Sequence, residues 1–234
     1  MALPFGNAMF ERFASAYDLL TGHEHWRAHI RRLLALVEVV PPGGRALDLG
    51  CGPGESSFEL ARALGPDVEI VGVDIAEAMI HRARAHHADR HPGLRSVRFE
   101  QKDGTDLGFE PNSFDLVVCH SFLYLVPDRE AVLREVARVL KPGGQIALME
   151  PQAGAPVLGA AIGALSKADE LFRTPLASVR FVASMVSWRI VVGVSGGLTA
   201  ELVERLLRAA AFEEIRVSPA LGGLGLHIRA KKAR

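Results

Sequence analysis

Arg45-Ala46-Leu47-Asp48-Leu49-Gly50-Cys51-Gly52-Pro53-Gly54 decides how this chain is read. Its first half is a short apolar run of the kind that forms a buried strand, and its second half breaks into a turn with three glycines in five residues. From Glu55 a helical spacing begins, running through Phe58, Leu60, Ala61 and Leu64. Strand, glycine turn and helix form the local build of a nucleotide-type cofactor site. Glycine lets the backbone take positive φ and lets a ligand come close to the main chain. The helix behind it aims unpaired N–H groups at whatever sits there.

Downstream the same rhythm repeats. Val68 to Asp74 reads as a second strand with Asp74 at its C-terminal end, and the following helix, Ala76 to about Asp89, carries Met79, Ile80 and Ala83 on its apolar side. A third strand, Val97 to Gln101, leads into the turn Lys102-Asp103-Gly104-Thr105-Asp106. Phe114 to Cys119 is apolar almost throughout, as expected of a strand buried on both faces. A helix from Asp128 to Leu140 is stopped by Lys141-Pro142-Gly143-Gly144, and Gln145 to Met149 is a fifth strand. Thr199 is an N-cap for a helix from Ala200 to about Ala211, with closing strands near Glu214–Ser218 and Gly225–Ala230. This alternation predicts an α/β fold with a doubly wound, mostly parallel seven-stranded sheet and right-handed crossovers. Asp48, Asp74, Asp103 and His120 then share the carboxyl edge of the sheet, where open α/β sheets bind their ligands.

Two segments lie outside the rhythm. Residues 1–44 hold an amphipathic pattern over Met9–Leu20 (Phe10, Phe13, Ala14, Tyr17, Leu20) and a second helix over His25–Val39, with Ile30, Leu33, Leu34 and Val37 inward. Residues 151–197 read as strongly apolar and mostly helical, far longer than the usual connection of about 4–6 residues. A cap over the acceptor is the first expectation for them, with extra core and a homodimer face as the others; Arg173, Arg180 and Arg189 interrupt the apolar runs. The chain is thus read as one domain over 1–234: N-terminal helices to 44, a cofactor core over 45–150, the cap over 151–197 and closing elements over 198–234.

Composition narrows the partners. Lys+Arg and Asp+Glu both number 27, so there is no electrostatic reason to expect a nucleic acid. The basic run Arg229–Arg234 reads as a frayed tail. Cys51 and Cys119 form no C-x-x-C pair, and free buried thiols in a reducing cytoplasm are expected. No apolar run reaches the roughly 20 residues of a membrane span, and the N-terminus does not read as a signal peptide. His25/His29 and His87/His91 have i,i+4 spacing without supporting ligands, so these histidines, with His23, His81 and His86, are expected on solvated helix faces and no metal is expected.

Two cofactor classes fit a glycine turn. A dinucleotide needs a turn that cradles pyrophosphate, and Pro53 and Glu55 speak against one here. S-adenosylmethionine has no phosphate. It needs close backbone approach and acceptors for an ammonium, a ribose diol and an adenine amine, which Asp48, Asp74 and Asp103 can supply.

Over about residues 46–150 the sequence resembles the class I S-adenosylmethionine-dependent methyltransferases. The resemblance rests on Leu47–Gly54, Gly72-Val73-Asp74-Ile75 with Met79, Lys102-Asp103-Gly104, Ser113–Val118 and Leu140–Gly144. It implies that Gly50, Cys51, Gly52 and Gly54 pack on the methionine moiety and that Asp74 binds the ribose. It places Ile75 and Met79 against the adenine and Asp103 on its amine, with Gly104 beside it. His120 comes near the methionine side and the acceptor. Phe10–Asp18 is similar to the opening helix of the ubiquinone/menaquinone C-methyltransferases, which implies that Tyr17 and Asp18 close over the cofactor. The implied reaction is methyl transfer to a small apolar or amphipathic acceptor such as a quinol, a phenol or another secondary metabolite. His120 is the candidate base if the acceptor must lose a proton. The alternatives are a nicotinamide-dependent oxidoreductase and a non-catalytic S-adenosylmethionine-binding partner protein. A nucleic-acid methyltransferase is disfavoured, because Cys119-His120-Ser121-Phe122 stands where an Asn/Asp-Pro-Pro-aromatic motif would follow the fourth strand.

Overall fold

A computed structural model describes residues 24–155 and 196–234, together with Asp18, Val186, Ile190, Val192 and Gly193. The elements are α1 (Glu24–Leu34), β1 (Arg45–Leu49), α2 (Glu55–Leu64), β2 (Glu69–Asp74), α3 (Glu77–Arg90), β3 (Val97–Gln101), β4 (Phe114–His120), α4 (Arg129–Val139), β5 (Leu140–Pro151), α5 (Ala200–Ala209), β6 (Phe212–Ala220) and β7 (Gly225–Lys232). They build one seven-stranded sheet in the order β3-β2-β1-β4-β5-β7-β6. β1 to β5 run parallel, and β7 enters antiparallel between β5 and β6. The order reverses between β1 and β4, so the crevice opens above the ends of those two strands.

The parallel strands are central and buried on both faces: Leu47, Ile70, Val71, Val73, Leu116, Val117 and Val118 are essentially inaccessible. Caps agree with the sequence. The Asp128 carboxylate accepts the Ala131 N–H at 2.8 Å and the Thr199 hydroxyl accepts the Leu202 N–H at 3.2 Å.

Several boundaries differ from expectation. α1 stops at Leu34 rather than Val39, with Ala35, Leu36 and Val37 forming turn bonds back to Arg31, Leu33 and Leu34. Lys141-Pro142-Gly143-Gly144 lies inside β5 rather than before it. Phe114 pairs with Leu140 but Leu116 with Gln145, so β5 carries extra residues across from Asp115. Asp115 holds this irregular stretch by accepting from Lys141 Nζ at 2.8 Å and from the Arg45 N–H at 2.9 Å. The basic C-terminal run is not a frayed tail. Arg229 to Lys232 belong to β7, where Arg229 and Lys231 pair with Glu38 at 3.3 and 3.0 Å and Lys231 also reaches Glu214 at 3.3 Å.

The helix expected over Met9–Leu20 lies outside the described residues except for Asp18, and most of 151–197 lies outside them too. The two described ends of that long segment meet: Leu198 donates to Pro151 O at 2.8 Å, and Ala153 donates to Leu198 O at 3.0 Å. The segment therefore leaves the sheet at the end of β5 and returns to the same point. Among the described residues no helix is long and apolar enough to cross a membrane.

Candidate active site

The Gly50–Gly54 loop is held entirely by its own protein. The Gly50 and Cys51 N–H groups both donate to Val73 O, at 2.8 and 3.0 Å. The Gly52 N–H donates to Asp74 Oδ2 at 3.0 Å, the Gly54 N–H donates to Cys51 O at 3.0 Å, and Pro53 has no N–H. Gly50 and Gly54 sit at φ +76° and +97°. At Gly50 a Cβ would lie 2.3 Å from the Phe122 ring, so positive φ and a packed aromatic both demand glycine there.

Three carboxylates surround this loop. Asp48, at no measurable exposure, accepts from the Ser56 and Ser57 hydroxyls at 2.6 Å through Oδ2. Its Oδ1 is buried with no hydrogen-bond partner among the described residues. Burial pushes its carboxyl up to about 6, against the pull of the two serines. Asp74 accepts from Gly52 through one oxygen and from the Ala76 N–H at 2.9 Å through the other, so it ties the loop to the start of α3. Glu55 opens α2 and is buried, with Arg27 of α1 at 3.3 Å.

The remaining expected residues spread along the same edge. Ile75 is exposed beside Asp74, while Met79 is covered by Ala76 and Ala78. Asp103 is exposed and its Oδ1 accepts from both the N–H and the hydroxyl of Thr105 at 2.8 Å. Gly104 is buried, and a Cβ there would meet Phe122 at 3.2 Å. Cys51 and Cys119 are buried free thiols whose ionisation is pushed well up by burial, so neither is a nucleophile. Tyr17 lies outside the described residues.

At the end of β4, His120 is buried and its ring meets Trp26 of α1 edge-on at 5.0 Å. Burial, with smaller contributions from His29 and His227, pushes its conjugate acid down to about 3, so the ring is neutral at working pH. His120 pairs in register with Met149, and Met149 with His227, which places both histidines on one face of the sheet. Nε2 of each finds no hydrogen-bond partner among the described residues, and neither does the Ser121 hydroxyl. No group of acidic, histidine and cysteine side chains able to hold a metal occurs among the described residues.

Three contributors lie outside the expected site residues, although Glu150 stands out in the sequence at the end of the fifth strand, as fit for a structural as for a catalytic role. Glu150, fully buried at the end of β5, accepts the Phe122, Leu123 and Tyr124 N–H groups at 3.1, 2.8 and 3.1 Å and so fixes the loop behind His120. Phe122 walls the glycine loop. His86, expected on a solvated face, is buried, with Nδ1 3.1 Å from Pro53 O and Nε2 3.1 Å from Asp18. Only Glu150 left a trace, as a charged residue closing an apolar strand.

Similar folds and sequences surround this arrangement. Phosphoethanolamine N-methyltransferase 2 of Haemonchus contortus, solved with S-adenosyl-L-methionine, superposes with a TM-score of 0.68 over 96% of this chain and 57% of its own, at 16% identity. A [4+2]-cyclase matches at 0.67 over 100% of this chain and 98% of its own, at 19% identity, so the fold itself does not fix the reaction. In sequence, nocamycin O-methyltransferase of Saccharothrix syringae is 43% identical over 143 residues, 61% of this chain and 50% of that protein. Demethylmenaquinone methyltransferase of Bacillus cytotoxicus is 34% identical over 148 residues, 61% of this chain and 60% of its own length. These matches span 50% and 60% of the two relatives' lengths. The family model described as a methyltransferase domain matches residues 41–194, and the chain belongs to that family.

Proposed function

We propose that this chain transfers a methyl group from S-adenosylmethionine to a small apolar or amphipathic acceptor, with a quinol or phenol oxygen or ring carbon as the reacting centre. The observation that carries this reading is the state of the glycine loop. Its amides are all donated to protein acceptors, and Asp48, Asp74 and Glu55 stand around it. A pyrophosphate needs free donors and positive charge, whereas an ammonium and a sulfonium are drawn to carboxylates. The orphaned Oδ1 of Asp48 is a ready acceptor for the ammonium, and a cation beside it would draw that carboxyl back to ionisation. Asp74, which ties the loop to the start of α3 beside the crevice, is assigned to the ribose diol. The exposed Ile75 offers an apolar face to the adenine and Asp103 an acceptor for its amine.

When bound, the cofactor supplies an electrophilic methyl group on a sulfonium. The chain's own task is alignment and exclusion of water. Glu150 fixes the backbone after β4, and that backbone carries His120 and Ser121 to the crevice. His120 is the residue assigned to touch the acceptor. As a neutral imidazole with a weakly basic nitrogen it orients an acidic or already ionised hydroxyl rather than stripping a proton from an alcohol. Residues 151–197, clipped together at the end of β5, are assigned to wall the acceptor.

The direct test incubates the protein with S-adenosylmethionine and a panel of hydroquinones and phenols, reading S-adenosylhomocysteine release. Turnover on at least one supports the reading; tight cofactor binding with no transfer to any of them leaves the non-catalytic alternative. On a turned-over acceptor, His120→Ala is expected to lower kcat/KM by about ten- to a hundredfold, the worth of a buried hydrogen bond. His120→Asn, which keeps a hydrogen-bonding group, should recover part of that loss. An unchanged rate in the alanine variant removes His120 from the site.

A further inference from the structure

His227 is the third residue of β7, and because β7 runs antiparallel to β5 its first residues arrive at the edge where β4 and β5 end. The register sets it in a row: His120 pairs with Met149, and Met149 with His227. Asp48 pairs with both Gly72 and Val118, so Asp74 and His120, each two residues further along, lie on the same face at the same edge. The row thus runs from the cofactor end at Asp74, through His120, to His227. Both rings are more than nine-tenths buried, and Nε2 of each has no hydrogen-bond partner among the described residues. A buried polar atom left unpaired is costly, and two of them on one face of a ligand edge mark a place for a polar ligand group. α1 covers the row. Trp26 meets His120, while His29 and Arg32, three and six residues further along α1, act on His120 and His227 respectively. Burial first and Arg32 second hold the conjugate acid of His227 below its usual value, so this ring is neutral like that of His120.

A neutral imidazole nitrogen donates or accepts one hydrogen bond, which suits a hydroxyl or a carbonyl. Arg32 adds positive field beside His227, which draws an oxygen and repels an ammonium. Strands lie about 4.8 Å apart and side chains stand roughly perpendicular to the sheet, so the two rings rise about 10 Å apart with Met149 between them. One oxygen does not reach both. Hydrogen bonds of about 3 Å from each ring leave roughly 4–6 Å between two oxygens, a separation that spans a six-membered ring. We propose that His227 is a specificity-determining residue that binds a second oxygen of the acceptor, a hydroxyl or carbonyl across the ring from the centre held at His120. The role of His227 rests on the acceptor site assigned above and sharpens it, since a ring with one oxygen then binds less well than a ring with two.

The test uses the full chain and a matched pair of probes: an alkylated hydroquinone, and the para-cresol with the same alkyl chain, in which a methyl replaces one hydroxyl. The first readout needs no turnover. Nitrogen-labelled histidine is followed by NMR in the wild type saturated with S-adenosylhomocysteine, and the His227 signal is the one that disappears in His227→Leu. The hydroquinone should shift that signal and the cresol should leave it in place. The second readout is transfer from S-adenosylmethionine. The wild type should favour the hydroquinone over the cresol by about ten- to a hundredfold in kcat/KM, the worth of a buried hydrogen bond. His227→Leu should lose that preference, mainly through KM for the hydroquinone, and His227→Gln, which puts an amide nitrogen near the place of Nε2, should recover part of it. An equal loss on both probes in His227→Leu would reduce His227 to a packing residue and overturn the proposal, as would a His227 signal that neither probe moves or that both move alike. A shifted signal without transfer to either probe counts against methyl transfer and leaves the subsite standing; transfer with an unmoved signal does the reverse.

Discussion

Replacing Asp74 by alanine is expected to weaken S-adenosylhomocysteine binding by about a hundredfold or more while leaving the protein folded. The loss has two parts. The Gly52 and Ala76 N–H groups lose their carboxylate acceptor, which frees the loop and the start of α3 from each other. The ribose diol loses its partner. A charge-assisted hydrogen bond is worth about 1.5–3 kcal/mol net, and each 1.4 kcal/mol is tenfold in affinity. Asp74 is only half-buried at the sheet edge, so water can take over the freed N–H groups and thermal stability should fall little. Calorimetric titration beside a melting curve separates the two. An affinity within threefold of wild type would remove Asp74 from the site.

Glu150→Ala should be the most destabilising single change near the site, costing about 3–6 kcal/mol. It strands three backbone donors around a carboxylate that is itself fully buried, and each unsatisfied buried donor costs about 1–3 kcal/mol. For a chain of this length that is a fall in Tm of roughly 10–20 °C. Burial pushes the Glu150 carboxyl up to about 7 from 4.5, against the opposing effect of its three N–H donors. The sign follows from proton binding. Between those two values the folded chain holds a proton that the unfolded chain has released, so stability declines as pH rises from about 4.5 through 7. The size of this decline is about 3 kcal/mol. Glu150→Gln cannot ionise and lacks it. Denaturant unfolding at pH 5 and pH 8 should show the glutamine variant's deficit shrinking by about 2–3 kcal/mol at the higher pH. An equal deficit at both would mean that Glu150 is ionised throughout.

Much of the architecture was legible because it is local. A strand that ends in an acid, a glycine turn and a capped helix each declare themselves within about ten residues, and Asp48, Asp74, Asp103 and His120 did fall on one edge as alternation requires. What the sequence concealed is long-range. Glu150 binds backbone more than 25 residues away, which no spacing rule expresses. His86 lies among charged neighbours on α3 and reads as solvated. It is buried because Pro53 and Asp18 close over it from positions 33 and 68 residues earlier in the chain. The packing of α1 is long-range too: Arg27 and Arg31 pair with Glu55 and Glu59 of α2, each 28 residues further along, at 3.3 and 3.2 Å. The basic C-terminal run looked frayed because the acidic partners that hold it in β7, Glu38 and Glu214, are far away or on another strand.

An acid-lined loop whose own amides are all donated within the protein should accept a sulfonium ligand and refuse a pyrophosphate. Calorimetric titration of the purified protein with S-adenosylmethionine and, separately, with NADH tests it most directly. Saturable one-to-one binding of S-adenosylmethionine at micromolar concentration, lost in Asp74→Ala, and no binding of NADH are expected. Binding of NADH with none of S-adenosylmethionine would contradict it.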